Sequence, residues 1–131
     1  MIRFNVNTDS IIVDGFSLSN FVAGADPVSW TQDQDNAQVQ QDAFGNGYVL
    51  DKNHTGGTIT VRLIPGTPSF KKMMQLAGQR STFGVMIKTS AERVGGTEAI
   101  IVRKPNGNVT ENNPSREFQI KVIDYQYEAQ D

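Results

Sequence analysis

The stretch Thr58-Ile59-Thr60-Val61-Arg62-Leu63-Ile64, running into Pro65-Gly66-Thr67-Pro68, decides the fold class. Thr58, Thr60 and Arg62 alternate with Ile59, Val61 and Leu63, so a strand here turns one apolar face inward and keeps one polar face out. Pro65-Gly66 stops it. Thr67 then reads as a helix N-cap with Pro68 at the first helical position, where the missing N–H has no intrahelical partner to lose. Phe70, Met73, Met74 and Ala77 share one helical face and Gly78 supplies a stop, which predicts one amphipathic helix over 68–77. A lone helix beside strands has to bury its apolar face, so these four residues are expected in the core rather than as a methionine-rich partner surface.

Outward from this strand, short segments rich in β-branched and aromatic residues recur between turn signals. They predict a mainly β domain, a sandwich or barrel of about seven strands with one flanking helix. Ser10–Val13 and Phe16–Leu18 flank Asp14-Gly15, a hairpin dipeptide. Ala25-Asp26-Pro27 is a turn leading into Val28-Ser29-Trp30. Ala37 to Asp42, Val49-Leu50 and Asn53 to Leu63 read as strands, separated by the Phe44-Gly45-Asn46-Gly47-Tyr48 turn and the His54-Thr55-Gly56-Gly57 break. Phe83–Lys88, Glu98–Arg103 and Phe118–Tyr127 follow. Two extended loops are expected, over about 42–57 and over 104–116.

Composition narrows the possible functions. At 131 residues the chain suits one domain, 1–131, with a core of its own. It has no cysteine, which removes disulfides, thiolate metal sites and thiol nucleophiles. Lys and Arg are scattered and the formal net charge is −2, which argues against a surface built to grip phosphates but leaves association of like copies unopposed. No signal-peptide core or apolar run of membrane-spanning length occurs, so a soluble, cytosolically made protein is expected.

The search for chemistry yields little. The chain's one histidine, His54, has no Gly-x-Ser-x-Gly elbow beside it, so it reads as a loop residue and no enzyme is expected. Asp33-Gln34-Asp35-Asn36 resembles the start of a calcium loop, but the glycine position is Gln38 and the bidentate glutamate position is Phe44, so an EF-hand is excluded. A non-standard site from Asp33, Asp35 and Asp42 stays open beside the plainer reading of a polar loop. No metal or cofactor is assigned. Gly45-Asn46-Gly47 precedes a strand rather than a helix, so it is a turn and not a phosphate cradle. The Asn53-His54-Thr55 and Asn108-Val109-Thr110 sequons carry no weight without a secretory signal.

The order Ala25-Asp26-Pro27-Val28-Ser29-Trp30, then Asp42-Ala43-Phe44-Gly45-Asn46-Gly47, then Gly57-Thr58-Ile59-Thr60-Val61-Arg62-Leu63 and Thr67-Pro68-Ser69 with its helix, resembles the tail tube proteins of contractile-tailed phages and their type VI secretion relatives. Arg103-Lys104-Pro105 and the strand Phe118 to Asp124 resemble that family's C-terminal third. The resemblance implies a virion structural protein assembled in the host cytoplasm, whose homo-hexameric rings stack into a tail tube that conducts DNA. Its implied partners are other copies, sheath and baseplate proteins, with no membrane and no specific hold on the DNA.

A conduit lining has to be polar and free of unpaired cations, so Gln38, Gln40, Asp42, Thr58 and Thr60 are expected to face the lumen, and Arg62 is expected at a subunit boundary with a carboxylate. Ring closure is expected to use sheet edges. The inter-ring loops are assigned Asn46, Tyr48, Asn53, His54, Asn106, Asn108 and Glu111. The competing readings are a tube or baseplate component of another contractile system and a small ligand-binding β-barrel.

Overall fold

A computed structural model describes residues 10–19, 21–22, 27–33, 37–51, 56–107, 109 and 114–129. In chain order the described elements are β1 (Ser10–Val13), β2 (Phe16–Ser17), β3 (Val28–Gln32), β4 (Ala37–Gln41), β5 (Gly47–Asp51), β6 (Gly57–Leu63), α1 (Pro68–Gln79), β7 (Phe83–Lys88), β8 (Glu92–Ile101), β9 (Asn106–Gly107), β10 (Arg116–Val122) and β11 (Gln126–Ala129). The main sheet is antiparallel throughout and runs β2-β1-β7-β8-β10-β6-β3, with β11 added on β8 and β9 on β10. It is mainly β architecture with one helix, and the sheet is not closed into a barrel.

The alternation in β6 is realised as expected. Ile59, Val61 and Leu63 are fully buried, facing the same core as Phe118, Ile120 and Val122 of β10. Each buried aliphatic or aromatic side chain of this kind contributes on the order of 1.5–3 kcal/mol relative to exposure. Across the pair, Thr58 stands opposite Lys121, Thr60 opposite Gln119 and Arg62 opposite Glu117, so the second face of the same two strands is polar.

Helix α1 starts where the sequence puts it. Thr67 is extended at φ −87° and its hydroxyl accepts the Phe70 N–H at 3.4 Å, with Pro68 at the first turn. Its end is a correction to the expected stop at Gly78: the helix continues to Gln79, and Arg80 takes the left-handed conformation at φ 55° while its N–H reaches the Leu76 carbonyl. The helix thus runs two residues past its expected end, from a last turn that Leu76 anchors in the core. The buried stripe is Ser69, Met73 and Leu76, with Phe70, Met74 and Ala77 packed along its border. Phe70 meets Phe118 edge to face at 6.0 Å. Of the expected stripe Phe70, Met73, Met74 and Ala77, Met73 is fully buried and the other three are partly buried, so the buried face is centred one position away from the predicted one.

Two strand boundaries differ from the sequence reading for identifiable reasons. β8 begins at Glu92, not Glu98, and passes through Gly95-Gly96. A Cβ on Gly95 would lie 2.1 Å from the Val85 carbonyl oxygen, and one on Gly96 would lie 2.6 Å from the Asp124 carboxylate. The glycines thus let β7 and the turn after β10 close onto β8. The predicted strand Phe118–Tyr127 divides into β10 and β11 at a turn over Ile123-Asp124. The Asp124 carboxylate accepts the Thr97 and Glu98 N–H groups at 3.0 Å and the Thr97 hydroxyl at 2.6 Å.

β4 and β5 stand apart. Among the described residues they pair only with each other, in the register Gln38 with Leu50, Val39 with Val49 and Gln40 with Tyr48. The expected 42–57 loop is therefore in good part a hairpin arm.

Candidate assembly surfaces

The arm is built from its turn. Asp42 accepts the Phe44 and Asn46 N–H groups, each at 2.9 Å, and the Asp42 N–H returns to the Asn46 carbonyl. Gly45 takes φ 83°, which a glycine adopts without a Cβ clash. These donors, Asn46 first and Phe44 next, hold the Asp42 carboxyl below its ordinary range, so the turn carries a charge at neutral pH.

Because opposite residues in an antiparallel pair share a face, Gln38, Gln40, Tyr48 and Leu50 line one side of the arm and Val39 and Val49 the other. The Tyr48 hydroxyl donates to Gln40 Oε1 at 2.7 Å. Gln40 and Tyr48, assigned by sequence to lumen and inter-ring contacts respectively, are thus side-by-side neighbours. Phe44 at the tip is 91% exposed, Val39 75% and Val49 60%. Exposed apolar side chains on a two-stranded ribbon make the arm a candidate contact surface.

The polar face of β6 and β10 is the second candidate surface. Thr58 donates to Asp33 Oδ1 at 2.6 Å and accepts from Lys121 Nζ at 2.8 Å, and Lys121 lies 3.8 Å from the same Asp33 oxygen. Thr58 is consequently only 8% exposed, held in a polar cluster outside the apolar core, while Thr60 is half-buried beside it. Arg62 has its carboxylate, but within the same chain: Glu117, at 3.4 Å. Both cations on this face are thereby matched to carboxylates, a pairing that alternating strands make available and that hydropathy alone does not reveal.

The remaining sequence assignments are spread out. Asn46 sits in the arm's turn and Asn106 in the two-residue β9, opposite Glu117. Asn53, His54, Asn108, Glu111 and Asp35 lie outside the described residues. Of the calcium candidates, Asp33 belongs to the Thr58 cluster and Asp42 to the arm's turn. No group of three or more metal-ligating side chains occurs among the described residues. Sequence reasoning missed the Asp124 clasp, whose carboxyl is drawn down to about 2, first by the Thr97 hydroxyl and then by the Glu98 and Thr97 N–H groups. The only trace of it in the sequence is an aspartate at a strand end facing a glycine pair.

With the architecture in place, comparison with solved structures finds likeness over nearly the whole chain. A chain from the virion of a native gene transfer agent particle superposes with TM-score 0.62 at 12% identity, over 97% of this chain and 98% of that one. The cap of the anti-feeding prophage, a tube-terminating cap, gives TM-score 0.63 at 10% identity over 99% and 93%. A chain from the sheath–tube complex of the PVC extracellular contractile injection system in its extended state gives TM-score 0.59 at 16% identity over 98% and 93%. At these identities the likeness is one of fold, and it is the tail-tube-like fold that the sequence resemblance implied. No family model matches the sequence, and no curated protein matches it.

Proposed function

We propose that this protein is a non-enzymatic tube subunit of a contractile tail, which joins copies of itself into hexameric rings that stack around a DNA-conducting lumen. The observation that carries the reading is the β4–β5 arm: on a body that shares its fold with particle components, a separate hairpin carries exposed Val39, Phe44 and Val49. Isolated two-stranded hairpins are marginal in water, so an arm of this composition gains its stability from a neighbour. The main sheet ends on β2 and β3, and β3 is an edge strand of five residues that suits pairing between adjacent copies.

The lining follows from charge. Gln38, Gln40 and Asp42 on the arm, with Thr60 and the neutralised Arg62 and Lys121 on the sheet, would present DNA with few unpaired cations and so little counterion release. Thr58 is the weakest of the lumen assignments, because Asp33 and Lys121 already enclose it. The partners are sheath and baseplate proteins and the location is the virion tail, and Asn106, Asn108 and Glu111 remain the inter-ring candidates of the 104–116 segment. The open sheet speaks against a small ligand-binding β-barrel.

A second reading, a cap that ends a tube instead of extending it, is favoured by the likeness to a tube-terminating cap. Negative-stain electron microscopy of the purified chain at high concentration separates the two. Rods or stacked rings are expected for a tube subunit and single rings for a cap. Monodisperse monomers at every concentration and salt would defeat both.

A further inference from the structure

We infer that an open pocket at the C-terminal end of α1 is the seat for the β4–β5 arm of a second copy of this chain, an inference that rests on the self-assembly reading above and specifies its contact. The pocket, about 580 Å³, lies between the last turn of the helix and the end of β8. Ala77, Ile100 and Val102 give it an apolar floor, and Arg80, Arg103 and Lys104 give it a cationic rim. Val102 is 54% exposed, an apolar side chain left at the surface beside three positive ones.

The arm has the complementary make-up. Residues 37–51 contain two carboxylates, Asp42 and Asp51, and no lysine or arginine. The Asp42 charge is set at the tip beside Phe44, the most exposed aromatic among the described residues. An aromatic anchor flanked by negative charge fits an apolar floor ringed by positive charge, and the opposite signs fix which way round the two copies meet. Nucleic acid is the other occupant that a cationic rim could attract, but phosphate contacts make no use of an apolar floor. Arm and pocket lie on different parts of one chain, so the contact is heterologous and repeats from copy to copy.

Charge exchange tests this directly. The variant D42N/D51K makes the arm positive while Asn keeps the turn's acceptor oxygen, and R103E/K104E makes the pocket rim negative at two exposed residues beyond the end of β8. Arg80 is left alone because it holds the left-handed cap. Each variant by itself is expected to lose about tenfold or more in assembled material by sedimentation and electron microscopy, because like charges now face each other. An equimolar mixture is expected to recover it, with both variants present in the same particles. Circular dichroism melts matching the wild type confirm that both variants fold, and F44A, which leaves every charge in place, is expected to weaken assembly as well.

If either variant assembles alone, or the mixture fails to recover while wild type assembles, the seat is elsewhere and the self-assembly reading stands. If wild type itself never assembles, the reading beneath the inference fails. A duplex DNA mobility shift that R103E/K104E abolishes while assembly is unchanged would reassign the rim to nucleic acid and overturn the inference.

Discussion

The β6–β10 pair and the β4–β5 arm are both antiparallel ribbons with alternating side chains, yet they are stabilised in opposite ways. In the first, Ile59, Val61, Phe118 and Ile120 have no exposed surface, and a helix closes over them. In the second, Val39, Val49 and Phe44 are mostly exposed, and among the described residues the arm is ordered by the ladder, the Asp42 turn and the Tyr48–Gln40 hydrogen bond. Alternation therefore specifies a strand without specifying what covers it. For the core pair the cover is intramolecular; for the arm, on the proposed function, a neighbouring copy supplies it.

The largest effect that separates the two regions belongs to the core. Phe118→Ala removes a fully buried ring and its contact with Phe70, and is expected to cost about 3–5 kcal/mol in urea unfolding of the unassembled chain. Excising Gln38–Leu50 in favour of a short Gly-Ser link is expected to leave the unfolding midpoint nearly unchanged while abolishing rods. A large loss of monomer stability on excision would erase the distinction between the regions.

An intermediate effect lies in the clasp joining β8 to the turn after β10. Asp124 has a folded pKa of about 2 against an ordinary 3.8, a depressed value. Its contribution is therefore fully present above pH 3.8 and is lost as pH falls from there through about 2. Denaturant melts between pH 5 and pH 2 should show wild type losing more stability than Asp124→Asn, whose side chain does not titrate. Parallel curves would mean that the Thr97 and Glu98 hydrogen bonds do not favour the charged form.

How much of this the sequence made legible depends on the range of the interactions. β6, β7, the N-terminus of α1 and the Asp14-Gly15 hairpin follow from residues within a few positions of one another: period-two alternation, Thr67-Pro68, and a turn dipeptide. The helix end at Arg80 and the start of β8 at Glu92 depend on contacts with distant strands, so the sequence stops the helix at Gly78, which is helical, and starts the strand at Glu98, after the close-approach glycines Gly95-Gly96. The enclosure of Thr58 was hidden for the same reason. Its partners Asp33 and Lys121 are 25 and 63 positions away. The arm was legible as a segment but not as a ribbon with two distinct faces, because the register that puts Gln40 beside Tyr48 is fixed by the turn geometry at Asp42.

Those two faces give the smallest stability effects and the finest test of the comparison. Val39→Thr with Val49→Thr changes one face only, and Gln38→Ser with Gln40→Ser changes the other. Both pairs are exposed or half-exposed, so each is expected to shift unfolding of the unassembled chain by no more than about 0.5 kcal/mol. Their effects on rods should diverge. If the valine side is covered by a neighbour, the threonine pair raises the protein concentration needed for assembly, because apolar area buried at the contact is replaced by hydroxyls. If the glutamine side faces an open lumen, the serine pair leaves that concentration unchanged. The reverse outcome would turn the arm over, placing Gln38 and Gln40 at the contact and the valines toward the channel, and with them the whole assignment of its polar lining.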